Sequence, residues 1–408
     1  MRGIDFLTLD DVETAGKRIL LRVDINSPIN PETMEILDDW RIKAIIPTLK
    51  ELEDSKVVIL AHQGRPGEKD FTTLEPHAEI LEKYLNRPVK FVDDVIGEAA
   101  RHAIQELENG EILMLQNVRF CSEEVLEGPP EFLVRTHLVR RLAPLFDLFV
   151  NDAFAAAHRS QPSLVGFAEI LPTVAGRVME RELKALQRLL EAAERPCVFV
   201  FGGAKIEDKI RVMKSAIENS RVDKIILGGL VANVFLIAAG YNIGEENKRA
   251  IRKFDQVVNM AMEIFSKYRE FIELPDDVAV EVDGTRQEIS ITDLPAKGRI
   301  KDIGQNTIVK YAEILRSAKT IVANGPMGVF EEEQYSRGTN EILKAIANVN
   351  AFSVIGGGHL GALAVEMGIE SKISHISTGG GAMMALLSGE KLPVIEALKR
   401  AAQRFKGK

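Results

Sequence analysis

Short apolar runs alternate with longer stretches of helical period along the whole of this 408-residue chain, and that rhythm limits the fold more than any other feature. The runs are RILLRVDI (18–25), KVVILAH (56–62), EILMLQNV (111–118), LFVNDAF (148–154), CVFVFGG (197–203), KIILGG (224–229), TIVANGPMG (320–328), FSVIGGGH (352–359) and ISHISTGGG (373–381). Between them lie patterns such as RIKAIIPTLKELED and GTNEILKAIANV. Strands apolar along their whole length must be covered on both faces, as in a parallel sheet between helices. The fold class is therefore α/β, and the length points to two doubly wound, Rossmann-like parallel-sheet domains. Residues 271–302 break the rhythm and predict a small antiparallel addition. The pattern VMERELKALQRLLEAAE marks a junction: 1–177 forms the first domain, 178–194 a helical hinge, 195–388 the second domain and 389–408 a final helical segment. The alternative is one large domain in which 178–194 is an ordinary crossover helix.

In doubly wound sheets ligands bind just beyond the carboxyl ends of the strands. In the first half those ends read RVDIN, HQGR, NVRF and NDAFAAAHR, and they supply Asp24, Asn26, His62, Arg65, Arg119, His158 and Arg159. Arg41 follows the first strand in DDWR. Guanidinium forks match phosphate and carboxylate oxygens in pairs, so the set predicts a cationic pocket for a small molecule with more than one anionic group. Any one of these arginines could serve an ordinary salt bridge; their grouping at strand ends argues against that for the set. The formal net charge of −8 makes the basic cluster a local feature and leaves no bulk attraction to nucleic acid or anionic membrane. No apolar run approaches the roughly 18 residues of a membrane span. The N-terminal stretch does not read as a secretory signal. Cys121 and Cys197 are the only cysteines, which suits a reducing cytoplasm.

In the second half the ends read GGAK, GG, NGPMG, GGGH and TGGG, with Lys205 and Lys209 just beyond the first. Glycines let a ligand lie on backbone, and helices starting there offer free N–H groups to phosphates. The P-loop pattern GxxxxGK[ST] is absent. GGGHLG (356–361) matches GxGxxG, but the next strand end, HISTGGG, lacks the acid that would hold a ribose, so a nicotinamide-dependent dehydrogenase is the weaker alternative. A polyanion pocket beside a nucleotide site implies phosphoryl transfer, which needs positioning, charge neutralisation and closure against water. A nucleotide sensor would need no second anion site.

The segments RVDIN, HQGRP, DAFAAAHR, GGAKIEDKI, DIGQNT, NGPMGVFE and HISTGGGA, in that order, resemble the motifs of the phosphoglycerate kinase family from end to end. The resemblance implies a phosphotransferase with a carboxyl acceptor, which moves a phosphoryl group reversibly between 1,3-bisphosphoglycerate and ADP to give 3-phosphoglycerate and ATP with Mg2+. It implies a glycolytic, cytoplasmic monomer without nucleic-acid or membrane partners. By the same resemblance Asp24 and Asn26 hold the glycerate end, and His62, Arg65, Arg119 and Arg159 take the phosphate that is not transferred. Arg41 lies beside the acyl phosphate, and Lys205 and Lys209 act with it on the group in transfer. Gly203, Lys209, Asn324, Gly357, Gly358, His359 and Leu360 border the nucleotide phosphates, and Glu331 takes the ribose hydroxyls. The last helix folds back onto the first domain. Bacterial and eukaryotic members have aspartate after the triple glycine, where it helps bind magnesium; here the residue is His359. Tryptophan usually precedes NGPMGVFE; here it is Ala323. Both departures resemble the archaeal branch. They leave the metal ligands unknown, with nucleotide phosphates, water and Asp302 as candidates and His359 as an unsuitable one.

Overall fold

Apolar runs pair into two parallel sheets in the computed structural model, which describes residues 6–405. Expectations that touch residues 1–5 and 406–408 lie outside the described residues. The first sheet contains β1 (Arg18–Val23), β2 (Lys56–Leu60), β3 (Val89–Val92), β4 (Ile112–Leu115), β5 (Leu148–Asp152) and β6 (Thr173–Ala175). Their order is β3-β4-β2-β1-β5-β6, and every pairing is parallel. Ile19, Leu20, Leu21 and Val23 of β1 are all buried, so both faces of this central strand are covered. Each such side chain contributes roughly 1.5–3 kcal/mol by burial. The neighbours of β1 are β2 and β5, so the topological switch point lies at its carboxyl end.

The second sheet begins with β7 (Cys197–Phe201), β8 (Lys224–Leu227) and β9 (Ile272–Glu273). A separate antiparallel sheet follows, made of β10 (Asp277–Val282), β11 (Thr285–Ser290) and β12 (Arg299–Ile303) in the order β11-β10-β12. The chain then returns as β13 (Thr320–Asn324), β14 (Phe352–Gly356) and β15 (His375–Ser377). The parallel order is β15-β14-β13-β7-β8-β9, which puts the switch point at the end of β7. Except that β14 includes Gly356, the expected strands end short of their terminal glycines, because those glycines turn the chain into the following element. The sequence pattern did not reveal β3, β6 and β9, which have only 4, 3 and 2 residues.

The chain divides into two compact units, Met1–Leu183 with Lys391–Lys408, and Lys184–Glu390. The division falls inside the helix Arg177–Ala192. That helix starts where β5 ends. Buried Asp152 accepts hydrogen bonds from the Met179 backbone N–H at 2.9 Å and the Thr48 hydroxyl at 2.6 Å, and Thr48 in turn accepts from the Arg177 N–H at 3.0 Å. Orphan donors of the first helical turn are satisfied in this way. Burial raises the Asp152 carboxyl to about 6, although these donors oppose the shift. The C-terminal helix Pro393–Phe405 belongs to the first unit: Val394 N–H donates to the Ala157 carbonyl at 3.3 Å, and Arg404 meets Glu169 at 3.0 Å.

Candidate active site

Strand ends of the first unit build a cavity of about 630 Å³ lined in part by Asn26, His62, Gly64, Arg65, Arg119 and Arg159. β1 delivers Asp24 and Asn26, β2 delivers His62 to Arg65, and β4 leads to Arg119. The sharp turn at Gly64 has φ +65°, and an added Cβ would sit 2.5 Å from the Asp70 carbonyl oxygen. Its N–H donates to the Asn26 side chain at 2.8 Å, which ties two strand ends together. Asn117 braces the same corner by donating to the carbonyls of Gln63 at 2.7 Å and Thr72 at 2.8 Å.

Arg41 lies beside this cluster. Its Nη1 donates to Asp24 Oδ1 at 3.1 Å and to the Asn26 carbonyl at 3.0 Å. Although burial opposes it, the charges of Arg41 and Arg22, with the Asn26 backbone N–H, hold the Asp24 carboxyl down at about 2. One guanidinium nitrogen is thereby anchored, and the rest of the fork remains for a ligand. Arg119 is pushed down to about 10 by burial and by neighbouring Arg159 and Arg22, which marks a concentration of positive charge lacking enough counter-ions. Arg159 is lowered too, by burial and by Arg65. Such a cluster favours a polyanion.

His62 departs from the expectation that histidines add charge to this pocket. Burial above all, with the charges of Arg22, Arg119 and Arg159, keeps its imidazole well below the usual range, so it is neutral near pH 7. Arg22 Nη2 lies 3.1 Å from His62 Nδ1. A guanidinium can only donate, so Nδ1 is the acceptor and Nε2 carries the proton. Sequence reasoning missed the group that does this. Arg22 is buried, donates through Nε to Ser163 Oγ at 2.8 Å, and lies 3.9 Å from buried Glu124. Glu124 accepts from the Ser163 hydroxyl at 2.6 Å and N–H at 2.9 Å. The available signal was an arginine inside the otherwise apolar RILLRV.

In the second unit the glycines divide into two groups. Those of GGAK, GG and NGPMG pack chain on chain: a Cβ at Gly202 would lie 2.0 Å from the Pro326 oxygen, at Gly228 2.8 Å from Met327 Cα, and at Gly325 2.4 Å from the Gly202 oxygen. Gly203 is part of this packing, with its N–H on the Pro326 carbonyl at 2.7 Å. Gly358 and Gly381 face open space instead, and Gly357, at φ +106°, meets only the Asn324 amide at 3.8 Å. These open positions start the helices Gly358–Glu366 and Gly380–Leu387, whose first turns touch through Gly357 and Gly380. Two helix N-termini there present free N–H groups side by side. Asn324 donates to the Gly356 carbonyl at 3.0 Å and helps shape this surface, while Leu360 is buried beneath it. His359 is exposed and its ring lies against Phe330, with centroids 5.7 Å apart.

Lys205 is exposed, whereas Lys209, on the helix Ile206–Glu218, is buried. The Lys209 ammonium reaches the Lys205 carbonyl at a long 3.5 Å, and burial lowers it to about 8. Asp302, the candidate metal ligand, engages its Oδ2 within the fold, while its buried Oδ1 has no hydrogen-bond partner. It is buried, pairs with Arg286 at 2.9 Å and accepts from the Gly338 N–H at 2.8 Å. Among the described residues no group of three or more His, Cys, Asp or Glu side chains could hold a metal ion.

A family profile described as phosphoglycerate kinase matches residues 9–390. The chain belongs to the phosphoglycerate kinase family. It is 53% identical to the phosphoglycerate kinase of Methanothermus fervidus over 98% of both chains. It is 52% identical to that of Methanococcus maripaludis, over 98% of this chain and 100% of the relative. A crystal structure of phosphoglycerate kinase from Pyrococcus horikoshii superposes with a TM-score of 0.93 at 44% identity, covering 98% of this chain and 100% of that one. The corresponding Coxiella burnetii structure gives 0.79 at 34% identity, over 97% and 99% of the two chains. Both parallel-sheet units and the kinase expectation thus stand, and the dehydrogenase and sensor alternatives fall. No helix among the described residues is long and apolar enough to cross a membrane.

Proposed function

We propose that the first unit's cavity binds 3-phosphoglycerate or 1,3-bisphosphoglycerate and that the open helix starts of the second unit bind ATP or ADP. The supporting observation is the cavity itself, where Arg65, Arg119 and Arg159 converge with a neutral His62 and Asn26. The three arginines take the phosphate that stays on the glycerate, His62 Nε2–H donates to the ligand, and Asp24 and Asn26 hold the hydroxyl and carboxyl end. Arg41, fixed by Asp24, places its free N–H groups on the phosphoryl group in transfer. In the forward direction an ADP phosphate oxygen attacks the acyl phosphorus, the acyl P–O bond breaks, and the carboxylate of 3-phosphoglycerate leaves. Gly357, Gly358, His359 and Leu360 supply backbone N–H groups to the nucleotide phosphates, Lys209 and Lys205 supply charge, and Glu331 takes the ribose.

Catalysis here is positioning and charge neutralisation. The helix Arg177–Ala192 serves as the hinge for closure against water. Among the described residues no group of three or more His, Cys, Asp or Glu side chains could hold a cation. Magnesium, a hard cation, would be held by nucleotide phosphate oxygens and water and not by the His359 imidazole, and would supply charge neutralisation there. The enzyme acts as a monomer in the cytoplasm. The test is a coupled assay of ATP- and 3-phosphoglycerate-dependent ADP formation. Arg41→Ala should lower kcat by about 100-fold with a small change in KM. A sharply raised KM with intact kcat would make Arg41 a binding residue only.

A further inference from the structure

The antiparallel sheet β10–β12 has no part in the reaction above, yet it grips one loop. That loop, residues 325–336, runs from β13 to the helix Arg337–Ala347, whose first turn contains Gly338, and it carries Glu331. The sheet holds the loop and the first turn of that helix at four places. The Val329 N–H donates to the Lys301 carbonyl at 2.7 Å. The Lys301 ammonium meets Glu332 at 2.7 Å and Glu281 of β10 at 2.7 Å. Arg286 of β11 donates to the Gln334 carbonyl at 2.9 Å, and Asp302 accepts from the Gly338 N–H at 2.8 Å. Both cations also face the ring of buried Tyr335, at 5.0 Å for Lys301 and 6.0 Å for Arg286.

None of these contacts uses Glu331, which is exposed. The preceding residue, Phe330, lies against His359 at the open helix start. The inner side of the loop is therefore fixed to the sheet, and its outer side presents Glu331 next to the surface proposed for nucleotide phosphates. Loops are ordinarily mobile, and a carboxylate on one must be ordered before it can hold two hydroxyls.

We propose that Lys301 and Glu332 are positioning residues for nucleotide binding: their ion pair fixes the loop so that Glu331 is preorganised for the ribose hydroxyls. This rests on the reading of Glu331 as the ribose ligand. Lys301 has a second acidic partner, so replacing it would leave two carboxylates facing each other on a half-buried surface. Glu332→Ala removes only the loop end of the pair and keeps Lys301 with Glu281, and so it protects the test against misfolding.

The experiment measures affinity for ADP and for its dideoxyribose analogue in the wild type and in Glu331→Gln, Glu332→Ala, Lys301→Met and Glu331→Gln/Glu332→Ala. 3-Phosphoglycerate affinity and thermal unfolding are followed in each. The wild type should prefer ADP by about tenfold or more, as expected for two hydrogen bonds to a charged acceptor. Glu332→Ala and Lys301→Met should lose most of that preference, 3-phosphoglycerate affinity should be unchanged, and the double variant should lose no more than Glu331→Gln alone. If Glu331→Gln keeps the full preference, the ribose reading fails and the inference with it. If Glu331→Gln loses the preference while folded Glu332→Ala keeps it, the positioning role alone is overturned.

Discussion

Replacing Lys209 by methionine should make the free protein more stable and its nucleotide binding worse. The Lys209 ammonium is buried with no carboxylate in ion-pair contact among the described residues. Its descent from 10.5 to about 8 corresponds to about 3 kcal/mol of destabilisation in the charged form. The folded state binds fewer protons than the unfolded one between these two values, so stability rises with pH across that window and the penalty is complete below about 8. Methionine fills a similar volume without charge. Urea unfolding at neutral pH should therefore show Lys209→Met more stable by up to about 3 kcal/mol, with the gain fading as pH rises from about 8 to the ordinary lysine value of 10.5. An arriving phosphate would raise the lysine again. ADP binding by the wild type just above pH 8 should consume a fraction of a proton, read by calorimetry in two buffers of different ionisation enthalpy. Nucleotide phosphates are already ionised there, so the uptake reports the lysine, and Lys209→Met should abolish it. A variant less stable than the wild type at neutral pH, or wild-type binding without proton uptake, would refute the argument.

Sequence patterning reveals most of the fold because strands such as β1 and β7 are buried on both faces, and continuous apolar runs leave little else for them to form. β3, β6 and β9 are hidden because short edge strands are chosen by their partners instead of by their own composition. The charged groups of the pocket are legible as residue types, but their states are not. His62 reads as a possible cation and is neutral, because burial and the guanidiniums of Arg22, Arg119 and Arg159, which come from three distant segments, disfavour its charge. Glycines mislead for a related reason. A glycine required by a ligand and one required by another loop look alike in sequence, and Gly202 and Gly358 are told apart only by what lies where a Cβ would be.

Asp24 should contribute acid sensitivity: its carboxyl falls from 3.8 to about 2 in the fold, so about 2 kcal/mol of stability is complete above 3.8 and is lost as pH falls through 2. Asp24→Asn should flatten that part of an acid unfolding curve followed by circular dichroism; an unchanged slope would place the charge balance elsewhere. The two kinds of glycine should separate in one experiment. Gly202→Ala would drive a methyl to 2.0 Å from the Pro326 oxygen, a backbone atom that cannot swing away, and should cost several kcal/mol of stability, on the order expected for overpacking. Gly358→Ala meets nothing within 4 Å and does not start from a positive φ, so the fold should be unaffected. The same methyl would stand on the open helix start where a phosphate must approach the backbone, and ADP affinity should fall by about tenfold. The measurements are thermal unfolding and ADP titration of both variants. Gly358→Ala binding ADP as tightly as the wild type, with 3-phosphoglycerate affinity also unchanged, would remove the helix start from the nucleotide site, because a phosphate resting on those N–H groups cannot share its place with a side chain.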